Sequence, residues 1–175
     1  LLNLKDARPY YAALSVLGAA FIYWAYPNIF VDDAGFVVRY MNMAREGCFY
    51  CYNATDGPVY GLSSFIYGVV VSGLAMLGFV SNELLIMTVN FVGLIVLFYF
   101  LLSVFFTITK DHFYAISAIS LVVMSSTQFQ FAATAGLETN FHLAIVLTAI
   151  YFFYSNKKKW MWLFFSLSVI SKLDT

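Results

Sequence analysis

Charged residues are scarce in this sequence. Only 10% of the residues are Asp, Glu, Lys or Arg, whereas 62% are hydrophobic and 20% are aromatic. Soluble domains typically carry about 25% charged residues, so this composition excludes an ordinary soluble domain and indicates an integral membrane protein. The nine basic residues are balanced by nine acidic ones. The sequence therefore lacks the basic excess of a nucleic-acid-binding protein, and nucleic acid is not an expected partner.

Cysteine is almost absent as well. The two cysteines, Cys48 and Cys51, form one C-x-x-C pair, a spacing that occurs in redox motifs and in metal sites. A structural zinc site needs four ligands, and the two histidines, His112 and His142, lie far from the pair in sequence. A local disulfide in an external loop is the more economical interpretation.

What the sequence has in abundance is long apolar segments. They lie at about 10–26, 61–80, 84–108, 113–131, 139–154 and 160–171. A membrane-crossing helix needs roughly 20 such residues, and the last two segments are short. We therefore expect an all-α fold, a polytopic bundle of transmembrane helices that forms a single membrane domain over residues 1–175. The chain begins at Leu1 and ends at Thr175, soon after its last apolar segment and the ionisable residues Lys172 and Asp174, so we expect it to be part of a longer protein.

The positions of the basic residues predict the direction of the first crossing. Lysine and arginine prefer the cytoplasmic side of a membrane, and Lys5 and Arg8 precede the first apolar segment. The chain is therefore expected to cross outward first, which leaves residues 27–60 as an external loop. We expect the plasma (inner) membrane as the location, with this loop on the extracytoplasmic side.

The later charges conflict with a simple count of crossings. Lys110 and the lysines at 157–159 should also be cytoplasmic, which puts Glu138 outside. Three crossings after the first external loop would instead put Glu138 inside. We therefore expect the Gly-rich segment 61–80 to be partly re-entrant, or the region 61–108 to fold differently from two clean crossings.

The external loop begins with an amphipathic pattern. From Asp32 to Glu46, apolar residues fall on one helical face and polar residues on another, which is typical of a helix lying in the membrane interface. Asp32 or Asp33 would cap its N-terminus, where unpaired backbone amides and the helix dipole favour a carboxylate. Gly47 is expected to end the helix, and residues 48–60 are predicted to form a loop. Because ionisable residues beside hydrocarbon are costly, these aspartates are candidates for function.

Three motifs resemble one known class of membrane enzyme. The run DDAGFVVRYMNMAREG, followed by CYNATDGPVYGLSS, resembles the pattern DDAYI, RYAxNLAxGxG and VYNxGxxVEGYTSPL near the start of many GT-C class glycosyltransferases. The sequence GLET at 136–139 resembles their SGLET motif, and SKLDT at 171–175 stands where relatives often have TRPEG. The matches occur in the family's order. The chain therefore resembles the N-terminal part of glycosyltransferases that use polyprenyl-phosphate sugars, such as arabinofuranosyltransferase-like and mannosyltransferase-like enzymes.

This resemblance implies a reaction and a set of site residues. In such enzymes an acceptor hydroxyl attacks the anomeric carbon of a polyprenyl-phosphate sugar on the extracytoplasmic side, with inversion, and an aspartate in the first external loop takes the proton. By motif position the base is Asp32 or Asp33, with Asp32 preferred. The acceptor would be an envelope glycan, lipid or protein. The residues expected to bind the donor phosphate or substrate are Arg39, Glu138, His142, Lys172 and Asp174. No metal ligands are predicted, and the site is compatible with a divalent cation.

Local chemistry supports some of these roles and leaves alternatives open. The guanidinium of Arg39 suits phosphate geometry. Glu138 and His142 are one helical turn apart and share a face. Their alternative roles are an interfacial helix cap for Glu138 and a hydrogen-bonded packing residue for His142.

Two other functions are compatible with the same residues. In a transporter or flippase, Asp32, Asp33 and Glu138 would line a polar path instead of performing catalysis. In a noncatalytic membrane scaffold, the fold would be kept without the reaction.

Overall fold

The computed structural model of the chain describes residues 4–26, 32–53, 55, 57–59, 61–62, 64–125, 131, 134–135 and 138–172. Within these ranges the regular structure is helical, with one isolated antiparallel β-bridge between Cys51 and Pro58. The helices are α1 (Leu4–Ala25), α2 (Asp32–Arg45), α3 (Phe65–Ala75), α4 (Asn82–Thr109), α5 (His112–Ser125), α6 (Thr139–Tyr154) and α7 (Lys158–Ser171). The predicted all-α fold is confirmed for this part of the chain, and the predicted amphipathic helix is α2.

Helix α4 is the axis around which the other helices pack. It has 28 residues, which corresponds to about 42 Å at 1.5 Å per residue. The Ser81 hydroxyl caps its N-terminus by accepting a hydrogen bond from the Leu84 amide at 3.3 Å, and Lys110 ends it in the left-handed conformation. Among the described residues, α4 is the one helix that is both long enough and apolar enough to cross a membrane.

Helix α1 runs antiparallel to α4. Near the start of α1, Tyr11 packs against Phe106, and its hydroxyl lies 2.7 Å from Nδ1 of His112. Near the end of α1, the Tyr23 hydroxyl donates to the Met87 carbonyl at 3.3 Å. The last turn of α1 therefore lies beside the first third of α4.

Helix α5 returns along α4 from its C-terminal end. The Asp111 carboxylate accepts a hydrogen bond from the Phe113 amide at 2.8 Å, which caps the start of α5. Ala115 in the first turn of α5 is buried with Leu102 of α4. Helix α5 therefore runs antiparallel to α4, toward the end of α4 where α2 lies.

Helices α6 and α7 complete the bundle. A Cβ atom on Gly93 would lie 3.3 Å from the Phe141 backbone nitrogen, so α6 starts in close contact with α4. The ring centroids of Phe100 and Tyr151 are 5.3 Å apart, which shows that α6 runs parallel to α4. Helix α7 then runs back along α6.

Helix α3 is a short helix beside the first third of α4. It has 11 residues, about half of what a membrane crossing needs. Near its start, the Tyr67 hydroxyl accepts a hydrogen bond from Asn90 Nδ2 at 3.3 Å. At its end, Ala75 is buried beside Ile86. Helix α3 therefore runs antiparallel to the beginning of α4. That segment 61–80 is partly re-entrant, or that 61–108 folds differently from two clean crossings, stays a prediction.

Helix α2 packs on α3 and on the beginning of α4. Tyr40 and Met41 are buried in one cluster with Val71 of α3 and Ile86 of α4. The apolar face that the sequence predicts for α2 is therefore covered by protein, at least over this part of the helix. This burial holds α2 at the N-terminal end of α4.

Polar contacts fix the C-terminal end of α2. The Asn42 Oδ1 atom accepts a hydrogen bond from Asn82 Nδ2 at 2.6 Å, and the Arg45 guanidinium donates to the Val80 carbonyl. The helix ends as predicted at Gly47, which has φ +91°. The Cys48 amide donates to the Met43 carbonyl and the Gly47 amide to the Ala44 carbonyl, which is the pairing of a Schellman motif.

Gly61 is required by the close approach of Tyr40. A Cβ atom at position 61 would lie 2.6 Å from the Tyr40 hydroxyl oxygen, closer than two such atoms can approach. We expect Gly61→Ala to destabilise the protein by about 1–3 kcal/mol through overpacking. Combining it with Tyr40→Phe, which removes that oxygen, should cost less than the sum of the two single changes. Thermal unfolding of the four proteins of this cycle measures the coupling, and strict additivity would contradict the predicted contact.

Candidate functional site

The two candidate catalytic aspartates start helix α2. Asp32 and Asp33 occupy its first two positions, as the amphipathic pattern predicts, and their side chains lie outside the described part of the structure. Carboxylates in the first turn of a helix are stabilised by its dipole. The roles of Asp32 and Asp33 as base and cap therefore stay predictions from position.

Arg39 binds the loop that follows α2. Its Nε atom donates to the Tyr52 carbonyl at 3.0 Å and its Nη2 atom to Asn53 Oδ1 at 3.1 Å. The guanidinium carbon also lies 6.0 Å from the centre of the Tyr52 ring. These contacts hold the loop against the exposed side of α2. The guanidinium predicted to contact phosphate is therefore already bonded to this loop, and the phosphate contact of Arg39 stays a prediction.

A disulfide and a tyrosine close the same loop. Cys48 and Cys51 are bonded, with their Cα atoms 5.6 Å apart, as the interpretation of the C-x-x-C pair predicts. The Tyr40 hydroxyl donates to the Val59 carbonyl at 3.0 Å. Burial raises the pKa of Tyr40 above its usual value of 10.0, so this hydroxyl stays protonated as a donor at neutral pH. The described residues of this loop are therefore held against α2 by these contacts.

A buried polar cluster lies between α3, α4 and α6. Tyr67 and Asn90 are each 1% exposed and are joined by the hydrogen bond described above. The Oδ1 atom of Asn90 has no hydrogen-bond partner among the described residues. Asn140, at the start of α6, is also buried. Buried polar groups in an apolar bundle are costly unless they are paired, so this cluster stands out from the surrounding packing.

Glu138 lies at the edge of this cluster. It precedes α6 at the N-cap position, but its side chain makes no capping hydrogen bond. The residue is half-buried, and its carboxylate acts electrostatically on the Tyr67 hydroxyl. The alternative role as a helix cap is therefore not supported by a hydrogen bond. The role of Glu138 as a site residue stays a prediction.

His142 connects α6 to the end of α7. Its Nδ1 atom lies 2.5 Å from the Ser171 hydroxyl oxygen, and this hydroxyl donates to the Ser168 carbonyl at 2.8 Å. We assign the hydroxyl proton to that second bond, which places the ring proton at Nδ1. Lys172 follows Ser171 directly and is half-buried. Asp174 lies outside the described residues.

The His142 contact predicts different effects for two amide replacements. Asparagine places its NH2 group near the position of Nδ1, whereas glutamine reaches toward the position of Nε2. We expect His142→Gln to destabilise the protein by about 1 kcal/mol, as for a lost hydrogen bond, and His142→Asn to destabilise it less. Thermal unfolding of both variants measures the difference. Ser171→Ala, which removes the hydroxyl on the other side of the same hydrogen bond, serves as the reference for complete loss of that bond. Equal losses for the two amides would contradict the contact between Nδ1 and Ser171.

Helix α2 and Glu138 lie beside the same end of α4. Asn42 of α2 contacts Asn82 at the start of α4, and Glu138 interacts with Tyr67, which is bonded to Asn90 of α4. In the chain, α3, α4 and α5 lie between these groups, and α3 covers only the beginning of α4. The membrane side on which the charges place Glu138 stays a prediction.

Some contacts of the candidate site were not expected from the sequence. Tyr67 and Asn90 carry no motif signal that identifies them, and Ser171, the first residue of the SKLDT match, was not expected to contact His142. The sequence does give one indication for Asn90, because an amide side chain inside a long apolar helix indicates a buried polar contact.

The described residues contain no group of three or more His, Cys, Asp or Glu side chains that would hold a metal ion. A divalent cation can also be held by one or two protein carboxylates together with a substrate phosphate, and such a site needs no group of three protein ligands. The expectation of a divalent cation is therefore untested.

An apolar groove adjoins the polar cluster. It has a volume of about 400 Å³ and is lined by α3, α4, α6 and α7. Gly93 and Phe141 mark the part nearest Glu138, and Thr148 and Phe164 also belong to the lining. Almost all of the exposed lining is apolar. The groove therefore offers an aliphatic chain a path along α4 and α6.

A scan against protein-family models, a search of curated proteins and a search of solved structures each returned no match.

Proposed function

We propose that this chain belongs to an integral-membrane glycosyltransferase of the GT-C type and forms its first part. The enzyme takes a sugar from a polyprenyl-phosphate donor and transfers it to an envelope glycan, lipid or protein on the extracytoplasmic side of the plasma membrane. In this proposal the chain is a polytopic bundle, with α4 as one crossing and α2 in the interface.

The observation that carries the proposal is the short α3 helix. Its 11 residues stay beside the first third of α4, so α2 and Glu138 lie at one end of the bundle. A catalytic site built from the first external loop and the GLET motif needs this arrangement. With three full crossings between them, the two parts would face opposite sides of the membrane.

The proposed chemistry is a single displacement with inversion. The oxygen of the acceptor hydroxyl forms a bond to the anomeric carbon, while the bond between that carbon and the phosphate oxygen breaks and its electron pair leaves with the polyprenyl phosphate. Asp32 takes the proton of the acceptor hydroxyl as a general base. Since a carboxylate at a helix N-terminus is a modest base, alignment and stabilisation of the departing phosphate supply much of the acceleration.

The groove beside Glu138 supports a lipid-linked donor. Its lining is nearly all apolar, and Phe141 in that lining is one helical turn from the half-buried Glu138. This arrangement suits a ligand with an aliphatic tail and a polar head. In this proposal the polyprenyl chain lies in the groove, and His142 and Lys172 lie near the phosphate. Glu138 orients the acceptor, the donor or a cation.

Sugar transfer by the full-length protein tests the proposal. The purified protein, reconstituted in liposomes, is incubated with a panel of polyprenyl-phosphate sugars, and the released polyprenyl phosphate and glycosylated acceptor are quantified. Transfer of one sugar with inversion is expected. Movement of a lipid-linked sugar across the bilayer without any transfer would instead favour the transporter or flippase.

A further inference from the structure

The turn between α6 and α7 is tight and carries three consecutive lysines. Asn156 adopts the left-handed conformation with φ +56°. Its amide donates to the Phe153 carbonyl at 3.1 Å, and the Lys157 amide donates to the Phe152 carbonyl at 3.0 Å, which completes a Schellman motif. The chain therefore reverses within two residues, and Lys157, Lys158 and Lys159 begin α7 together.

The lysines have an unfavourable position with respect to the helix. Cations are disfavoured at the positive, N-terminal end of a helix, yet all three lysines occupy that end of α7. No acidic residue lies in its first turn, and Lys157 at the N-cap position makes no side-chain capping bond. An anion from outside the chain would neutralise this concentration of positive charge.

A cavity beside the turn combines polar and apolar lining. Its volume is about 480 Å³. The Lys158 side chain and Asn156 contribute its polar part, and the apolar lining comes from Phe152, Phe153, Tyr154, Met161 and Trp162. The rings of Phe153 and Trp162 are 61% and 60% exposed. A ligand that fits this lining has an anionic group and an adjoining hydrocarbon chain.

The turn lies near the C-terminal end of α4. Tyr151 of α6 packs on Phe100 of α4, and the two helices run parallel. The connection at Asn156 therefore lies about 5 Å before the level of Thr109, where α4 ends. If α4 crosses the bilayer, this is the depth at which hydrocarbon meets headgroups. Lysine and tryptophan are the side chains that prefer this boundary.

We propose that this turn, formed by Asn156, Lys158, Met161 and Trp162, binds an anionic phospholipid of the surrounding bilayer. The phosphate of the headgroup pairs with the Lys158 ammonium, and one acyl chain packs on Met161 and Trp162. This lipid site lies at the opposite end of α4 from Glu138 and is independent of the proposed sugar transfer.

Matched pairs of neighbouring residues test this lipid site. Native mass spectrometry of the detergent-solubilised full chain, titrated with phosphatidylglycerol, gives a dissociation constant. Lys158→Gln is expected to weaken binding about fivefold, the effect of one basic residue near an anionic lipid surface. Lys159→Gln removes the same charge outside the cavity and should weaken binding clearly less. Trp162→Ala should likewise weaken binding more than Trp160→Ala, because Trp160 does not line the cavity.

Three results would overturn the lipid site. Equal weakening by Lys158→Gln and Lys159→Gln would indicate diffuse attraction to the lipid surface. Phosphatidylcholine binding as tightly as phosphatidylglycerol would remove the role of the anionic headgroup. Displacement of the lipid by inorganic phosphate at equal concentration would identify a free-phosphate site. Circular dichroism of each variant shows whether the helices are retained, and Trp160→Ala serves as the reference for loss of an exposed ring.

Discussion

Replacing Asp32 by asparagine is expected to lower the turnover number for sugar transfer about 10²- to 10⁴-fold, the range that a general base typically contributes. Asparagine keeps the size of the side chain and its ability to cap α2, but it does not take the proton of the acceptor hydroxyl. The KM for the donor is therefore expected to change much less than kcat. The measurement is steady-state transfer by the full-length protein with the sugar that the panel identifies.

Companion variants separate the roles of the carboxylates. Asp33→Asn should be milder if Asp33 caps the helix or contacts the sugar, and Glu138→Gln should affect donor or acceptor binding as well as turnover. Asp111→Asn is the matched control, because Asp111 caps α5 at the other end of α4 and asparagine caps equally well. Full activity in Asp32→Asn, Asp33→Asn and Glu138→Gln would refute the assigned site.

Replacing Gly93 by leucine is expected to destabilise the bundle by about 1–3 kcal/mol, the usual cost of overpacking a core. A Cβ atom on Gly93 already lies within 3.4 Å of three backbone atoms of Asn140 and Phe141, and backbone atoms cannot rotate away as a side chain can. The added leucine would therefore push α6 away from α4 immediately beside Glu138. We expect loss of thermal stability together with loss of transfer activity, measured on the same preparation.

Glycines in open positions provide the control for Gly93. A Cβ atom on Gly73, in α3, meets nothing within 4 Å. Gly73→Ala is therefore expected to be neutral or to stabilise by up to about 1 kcal/mol through helix propensity. The change in stability caused by Gly93→Ala should lie between those caused by Gly73→Ala and Gly93→Leu. Wild-type stability in Gly93→Leu would contradict the close contact between α4 and α6.

The helices themselves could be predicted well from local pattern. The boundaries of α2 follow from Asp32 at its start and Gly47 after its end, and α6 covers the predicted range 139–154. Apolar length alone overestimated the length of the helix in segment 61–80, because α3 covers only Phe65–Ala75. Several of its apolar residues are buried against α2 and α4, and apolar composition does not distinguish packing against protein from packing against lipid.

The partners within the candidate site were not predictable in the same way. Tyr67 meets Asn90 across 23 residues of sequence, and His142 meets Ser171 across 29. Such pairs depend on how α3 and α7 pack, which local periodicity does not encode. Motif position pointed to Glu138 and the shared helical face pointed to His142, but neither indicated that Arg39 binds its own loop. The number of membrane crossings between α2 and Glu138 stays a prediction.

The most direct test of the shared site is a measurement of sidedness. Single cysteines at Thr55, Glu138 and Lys110, in a Cys48→Ala and Cys51→Ala background, are labelled in sealed vesicles with a membrane-impermeant maleimide. We predict that Thr55→Cys and Glu138→Cys react from the extracytoplasmic side and that Lys110→Cys reacts from the cytoplasmic side. Reaction of Thr55→Cys and Glu138→Cys from opposite sides would contradict a site built from α2 and Glu138.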